Sequence, residues 1–237
     1  MRIDILTLFP ELCDFVNGKS IIGRAQRSGR LEIHSHNIRD YTLNKQMQTD
    51  DAPYGGRQGM LLFAQPVYDC FKAVCRQAGR RPRLIYMSPC GRTLTQQRVY
   101  ELSKYDNIAI LCGHYEGIDE RIIEEIVDEQ ISIGDFVVTG GELPALLLTD
   151  AIARMCDGVL AEQAGYEKES HFDGLLEYPQ FTRPEAWRGR TVPEVLRGGN
   201  HRLIEGWRAE QSLERTRRLR PDLYERYVRL HPPKKMK

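Results

Sequence analysis

Apolar positions follow a period of two in some stretches and a period near 3.6 in others, and the two alternate through the first 160 or so residues. Strand-like runs lie near 2–8, 31–38, 83–87, 107–112 and 132–138. Helical patterns lie near 18–29, 65–78, 94–104, 117–127 and 142–155. This alternation predicts an α/β fold, a mostly parallel sheet with helices on its faces. Periodicity is lost over 160–174, and prolines at 179, 184 and 193 punctuate a loop-rich segment. Helices are expected near 199–218 and 221–230. No internal repeat or low-complexity tract is present. The organisation expected is an α/β domain over 1–159, a linker over 160–174 and a small, mainly helical domain over 175–237.

A chain of 237 residues suits one large domain or two smaller ones. Its 41% hydrophobic and 28% charged content is that of an ordinary soluble globular protein. No apolar run approaches the roughly 18 residues of a membrane span. The start, Met1 to Phe9, is too short and too acidic for a secretory signal and reads as a first strand. The six cysteines, at 13, 70, 75, 90, 112 and 156, show no Cys-x2-Cys pairing and sit mostly in apolar stretches. Reduced core thiols in a cytoplasmic protein are expected.

The formal charge of +1 is unevenly placed. Residues 183–237 carry 15 Lys+Arg against 7 Asp+Glu, and the first 182 carry 19 against 26. A polyanion partner for the C-terminal part would account for this. So would a solvated basic helix over Glu210 to Arg220 with internal ion pairs, and charge alone does not separate the two.

The most informative stretch is Ile133-Gly-Asp-Phe-Val-Val-Thr-Gly-Gly-Glu-Leu-Pro-Ala145. Ile131, Ile133 and Phe136 to Val138 read as a short buried strand. Gly140-Gly141 then frees the backbone to approach a ligand, and Pro144 suits the first turn of a helix. Two further loops follow strands, Tyr86-Met-Ser-Pro-Cys-Gly-Arg92 and Leu111-Cys-Gly-His-Tyr-Glu-Gly-Ile-Asp-Glu-Arg121. A fourth segment, Asp50 to Met60, is polar, glycine-rich and able to wrap a substrate. Loops at the C-terminal ends of parallel strands converge on a ligand crevice. The dinucleotide, P-loop, zinc-helix and nucleophile-elbow motifs are all absent from the sequence. His34 and His36 share a strand face without Cys or carboxylate company, so no metal site is expected.

These motifs resemble the bacterial tRNA (guanine-37-N1)-methyltransferase family. The resemblance is carried by Pro53-Tyr-Gly-Gly, Gly113-His-Tyr-Glu-Gly-Ile-Asp-Glu-Arg121, Ile133-Gly-Asp, Gly140-Gly-Glu-Leu-Pro144, Gly174-Leu-Leu, Phe181-Thr-Arg-Pro-Glu185, Gly199-Asn-His and Trp207-Arg, in order from Leu8 to about Pro221. It implies an S-adenosylmethionine-dependent enzyme of the SPOUT class, with a parallel sheet bearing a deep trefoil knot and a helical C-terminal domain. It also implies a homodimer with active sites at the subunit interface, Mg²⁺ dependence, and tRNA with guanine at positions 36 and 37 as substrate. Periodicity alone gives no hint of a knot.

The resemblance also implies roles. Ser88, Pro89 and Gly91, then Leu111, Gly113, Tyr115 and Glu116, then Ile131, Ile133, Gly134, Asp135, Phe136, Val137, Val138, Gly140, Gly141 and Pro144 would hold the methyl donor. Glu169 in the linker would be the general base that removes the guanine N1 proton, and Arg154 would stabilise charge developing on O6. Asp50, Tyr54, Gly55, Gly56, Gly59, Arg183, His201, Arg208 and Arg215 would contact RNA. Each role has an ordinary counterpart: Glu169 as solvated linker charge beside Glu162, Glu167 and Asp173, Arg154 as a helix C-terminal cation, Glu116 as a helix N-terminal acid. Aspartate commonly stands where this chain has Glu169, which makes Asp173 the alternative base. Arg57 replaces a glycine usual in the family. Two other classes remain, a sister knotted methyltransferase with another target and a non-catalytic RNA-binding paralogue. The first should lack the linker acid followed by Gly-Leu-Leu and Thr-Arg-Pro-Glu, and the second should have lost Arg154 or the glycine loops.

Overall fold

The computed structural model describes residues 1–56, 58–160, 166 and 169–232. Arg57, Glu162 and Glu167, singled out above, lie outside them. The chain divides into two compact units, Met1–Gln163 and Ala164–Lys237.

The first unit runs β1 (Arg2–Thr7), α1 (Pro10–Asn17), α2 (Ser20–Arg27), β2 (Glu32–Asn37), a 3-10 turn (Ile38–Tyr41), β3 (Asp50–Asp51) and β4 (Leu61–Leu62). It continues with α3 (Ala64–Ala78), β5 (Arg83–Thr93), α4 (Gln96–Leu102), β6 (Asn107–Cys112), α5 (Glu120–Ile126), β7 (Glu129–Ser132) and α6 (Glu142–Ala153). Five strands form one sheet in the order β2-β1-β6-β5-β7, and every neighbouring pair is parallel. The central strand β6, Asn-Ile-Ala-Ile-Leu-Cys, is buried at all six positions. A strand covered on both faces needs such a continuous run rather than alternation. On α3, Val67, Cys70, Phe71 and Val74 fall at helical spacing and pack with Leu84, Tyr86, Leu111 and Ile122 into a core on one face of the sheet. Asp119 caps α5 by accepting from the Arg121 amide at 3.0 Å, and Thr95 caps α4 through Arg98 at 3.3 Å.

Two expectations need correction. The buried strand expected over 132–138 is instead β7 at 129–132, and Phe136, Val137 and Val138 are exposed, Val137 at 81%. An apolar run reads the same whether it fills a sheet or faces a ligand cleft, so pattern alone misplaced it. The helix expected over 18–29 is α2 at Ser20–Arg27, and a further short helix before it, α1 at Pro10–Asn17, was not expected. The two-residue strand pairs are too short for alternation to reveal. All six cysteines are free; Cys13, Cys70 and Cys112 are buried and Cys90 is exposed. Among the described residues no helix is long and apolar enough to cross a membrane.

The second unit contains a hairpin of β8 (Ala186–Trp187) and β9 (Arg190–Thr191), then α7 (Glu194–Arg197), α8 (His201–Leu219) and α9 (Pro221–Leu230). Asn200 caps α8, accepting from the Leu203 amide. The buried Thr216 hydroxyl accepts from the Leu176 amide at 2.8 Å and donates to the Ser212 carbonyl, which pins the segment after Gly174 to α8.

Between β1 and the edge strand β2, Asp4 of β1 is fully buried and accepts from Arg2 at 2.8 Å and from His36 of β2 at 2.9 Å. Burial pushes its carboxyl up, but the hydrogen bonds from His36 and Arg2 outweigh this and hold it below the ordinary value of 3.8. A folded-state pKa below the unfolded one adds stability above the unfolded value, and that stability is lost as pH falls through the folded value. Asp4→Asn should therefore lower stability at pH 7 by about 3 kcal/mol in urea unfolding. The gap to the wild-type protein should close as pH falls below 3.8. A gap independent of pH would contradict this role.

Candidate functional site

Parallel strands leave all their C-terminal ends on one side of the sheet, and the loops emerging there enclose one cleft. β5 pairs with β7 through Ile85 to Met87, loops out over Ser88 to Gly91, and returns with Arg92 and Thr93 opposite Ile131 and Ser132. That excursion is one wall, Gly113 to Gly117 after β6 is the second, and residues 133–141 leading into α6 are the third. The cleft measures about 440 Å³, within the span of small-molecule sites.

Glycine sets how closely these walls meet. A Cβ on Gly91 would lie 2.5 Å from both the Gln130 carbonyl carbon and the Ile131 nitrogen. A Cβ on Gly141 would lie 2.6 Å from the Gly113 nitrogen and 2.7 Å from Cys112 Cα. The opposing atoms are backbone in both places and cannot swing aside. The Gly141 amide donates to the Gly113 carbonyl at 2.7 Å, and His114 and Gly140 form a β-bridge.

A polar group underlies the third wall. The Thr7 hydroxyl accepts from the Phe9 amide and donates to the buried Glu142 carboxylate at 2.8 Å. The other Glu142 oxygen lies 4.0 Å from His114 Nδ1, which is buried and makes no hydrogen bond. The His114 ring stands edge-on between Phe9 and Tyr115. Glu142 is the first residue of α6, where negative charge complements the helix dipole. Burial, and secondarily the Glu142 charge, push the Cys13 thiol up to about 12 and the Cys112 thiol well above its usual range, so neither is a nucleophile.

Of the residues expected to hold the donor, Ser88, Pro89, Gly113, Tyr115, Glu116, Ile131, Ile133, Phe136, Val137, Val138, Gly140, Gly141 and Pro144 line the cleft. The others stand behind it: Gly91 against β7, Leu111 buried in β6, Gly134 beside the Phe136 ring, and Asp135 exposed. Sequence reasoning passed over other lining residues, among them Tyr86, His114, Gln130 and Ser132. Tyr86 and His114 lie inside motifs already singled out, and a correctly bounded β7 would have pointed to Gln130 and Ser132. Burial pushes the Tyr86 phenol up to about 12, so it stays a neutral hydrogen-bonding group.

The segment expected to wrap RNA springs from the same edge. Asp50 pairs with Leu62 across β3 and β4. The Glu116 amide donates to Met60, and the Leu62 amide donates to Gly117. Tyr54, Gly55 and Gly56 are exposed at the tip. Arg154 caps the far end of α6, its amide bonded to Asp150. Glu169 and Asp173 belong to the second unit; Asp173 accepts from the Leu175 amide at 3.0 Å. In that unit Arg183 and His201 are exposed, and Arg208 lies over the Tyr178 ring and pairs with Glu205. Arg215 is half-buried on α8.

Fold and cleft together define an α/β protein with a cleft of small-molecule size, walled by glycine-rich loops at the C-terminal edge of a parallel sheet. Comparison with known proteins narrows this. A family model described as tRNA (Guanine-1)-methyltransferase TrmD matches residues 1–226. A tRNA (guanine-N(1)-)-methyltransferase from Ruminiclostridium cellulolyticum is 56% identical over 224 residues, covering 94% of this chain and 96% of that protein. Proteins of the same name from Lachnospira eligens and Staphylococcus aureus strain JH9 are 52% and 50% identical, each covering more than nine-tenths of both chains. The chain belongs to the tRNA (guanine-1)-methyltransferase family of enzymes.

The close approach at Gly141 gives a direct test. Gly141→Ala should destabilise the protein by about 2–3 kcal/mol, because added volume meets immobile backbone. Gly206→Ala in α8, where a Cβ meets nothing within 4 Å, should stabilise by about 0.5–1 kcal/mol. Thermal melting of both variants checks the contrast, and equal shifts would refute the steric account.

Proposed function

We propose that this enzyme transfers a methyl group from S-adenosylmethionine to N1 of guanine at tRNA position 37, next to the anticodon. The observation that carries the reading is the cleft walled by three glycine-rich loops held at backbone contact. Its donor set fits S-adenosylmethionine, because adenine and an amino-acid chain can be held by backbone N–H and C=O groups against apolar side chains. Ile131, Ile133, Phe136 and Val138 offer apolar surface, and Glu116 offers a carboxylate that would offset a sulfonium charge. Bound there, the donor supplies an electrophilic methyl carbon. We read the three loops as a trefoil knot, a reading supported by the backbone contacts at Gly91 and Gly141.

Guanine N1 carries a proton and becomes a nucleophile only as that proton leaves, with charge moving to O6. Glu169 takes the proton as general base, and the Arg154 guanidinium stabilises O6. The second unit grips the anticodon stem-loop through Arg183, His201, Arg208 and Arg215, and the loop of Asp50, Tyr54, Gly55, Gly56 and Gly59 closes on the target base. A base in an RNA loop is easily unstacked, so it can enter a pocket. Guanine at 36 completes the substrate.

The working form is a homodimer with active sites at the subunit interface. Apolar side chains exposed on the packed pair α1 and α6 support this, namely Leu12, Phe15, Val16, Leu143 and Leu147. Six free cysteines accord with a cytoplasmic enzyme. Among the described residues no three His, Cys, Asp or Glu side chains stand where they could share an ion. The Mg²⁺ dependence that the resemblance implies enters no step here.

Labelled methyl transfer to an unmodified transcript with guanines at 36 and 37, beside one with adenine at 37, tests this reading. Incorporation should occur only into the first. Glu169→Gln should keep donor binding and lower turnover by about 10²–10⁴-fold, and Arg154→Ala should also lose turnover. Activity that survives Glu169→Gln and disappears in Asp173→Asn would move the base. Incorporation into both transcripts would make the enzyme a sister methyltransferase.

A further inference from the structure

The hairpin of β8 and β9 has no buried residue: every residue from Ala186 to Thr191 is exposed, Trp187 at 59%. An isolated two-stranded ribbon this short draws no stability from a core. A tryptophan there contributes no core packing, although burying that ring elsewhere would be among the largest apolar gains open to a side chain.

Two arginines flank the ring with positive charge. Arg188 and Gly189 form the two-residue turn, with φ values of 51° and 77°. Positive φ at both central positions is the type I′ geometry that asparagine, aspartate or glycine normally fills. An arginine there is strained, and strain kept at an exposed tip points to function. Its guanidinium lies over the Trp187 ring, 5.1 Å from the centroid. Trp187 is the direct cross-strand partner of Arg190, which puts both side chains on one face of the ribbon. The nearest acid in sequence, Glu185, is engaged by Arg197, so Arg188 and Arg190 keep their charge for another partner.

We infer that this hairpin is a stacking clamp for an unpaired nucleotide of the tRNA substrate, with Trp187 against the base and Arg188 and Arg190 against the flanking phosphates. The inference rests on the proposed function and adds a specific contact to it. An exposed indole offers a π-face that any unstacked base can use, and single-stranded RNA is commonly held by such a face between cations. A duplex would present phosphates to the arginines but no base to the ring. The occupant is therefore loop nucleotide, not stem.

Steady-state methylation of the full-length transcript, run at two salt concentrations, tests the clamp on the intact enzyme. Trp187→Ala should raise KM for tRNA about ten- to a hundredfold, with kcat, KM for the donor and melting temperature unchanged. Trp187→Phe, which keeps a π-face, should recover most of the loss. Arg190→Gln should raise KM for tRNA and flatten its salt dependence by about one phosphate contact, whereas Trp187→Ala should leave the slope alone. Arg188→Gly relieves the turn, so it should hold or raise the melting temperature while KM for tRNA rises severalfold. A purely structural arginine would not part the two readouts in that way. The clamp is overturned if Trp187→Ala keeps the wild-type KM for tRNA, which would leave the ring to a protein partner. It is equally overturned if the loss comes with a lowered melting temperature and Trp187→Phe does not recover it. A wild-type enzyme that methylates no tRNA would instead overturn the proposed function.

Discussion

Two places where main chain touches main chain govern the architecture of the site. At Gly91 the returning arm of β5 lies against Gln130 and Ile131 of β7, and at Gly141 the start of α6 lies against the end of β6. Neither contact leaves room for a side chain, so the walls of the cleft are set by backbone geometry rather than by side-chain packing. A site defined this way is preorganised and varies little with side-chain rotamers. The cost is that these positions accept only glycine.

Around that frame the charges are divided. The cleft holds few charged groups, and the buried Glu142 beneath its third wall is tied to Thr7 and faces His114 across 4.0 Å. Burial, with the Glu142 charge second, raises the Cys13 and Cys112 thiols behind the cleft. The second unit carries the opposite character, with 15 basic against 7 acidic residues from 183 onward. Local ion pairs such as Arg208 with Glu205 and Arg217 with Glu214 take up some of these cations, as the reading of a solvated basic segment expects. Exposed pairs of this kind contribute little to stability, and a polyanion can displace them.

Much of the first unit was legible in the pattern of residues. β6 is an uninterrupted apolar run and α3 repeats its apolar positions at helical spacing, so both could be read without neighbours. The run from Ile131 to Val138 could not, because its second half faces a cleft and not the sheet. The strand pairs at 50–51 with 61–62 and at 186–187 with 190–191 are two residues long, below what a period of two can reveal. Nothing local shows which backbone Gly91 or Gly141 will touch, since those partners lie some 40 and 30 residues away in the chain. The loops themselves were found from glycine content and position after strands, and most of the expected donor residues line the cleft. Glu169 and Arg154 came from resemblance alone, because a carboxylate in an acidic linker and an arginine at a helix end have ordinary explanations.

The central claim is that the three loops are one binding site for the methyl donor. Amide hydrogen exchange of the intact enzyme, with and without saturating S-adenosylmethionine, tests it most directly. Protection is expected together at residues 88–91, 113–117 and 133–144, with the sheet core unchanged. Protection of only one loop, or of a region away from the C-terminal edge of the sheet, would contradict it.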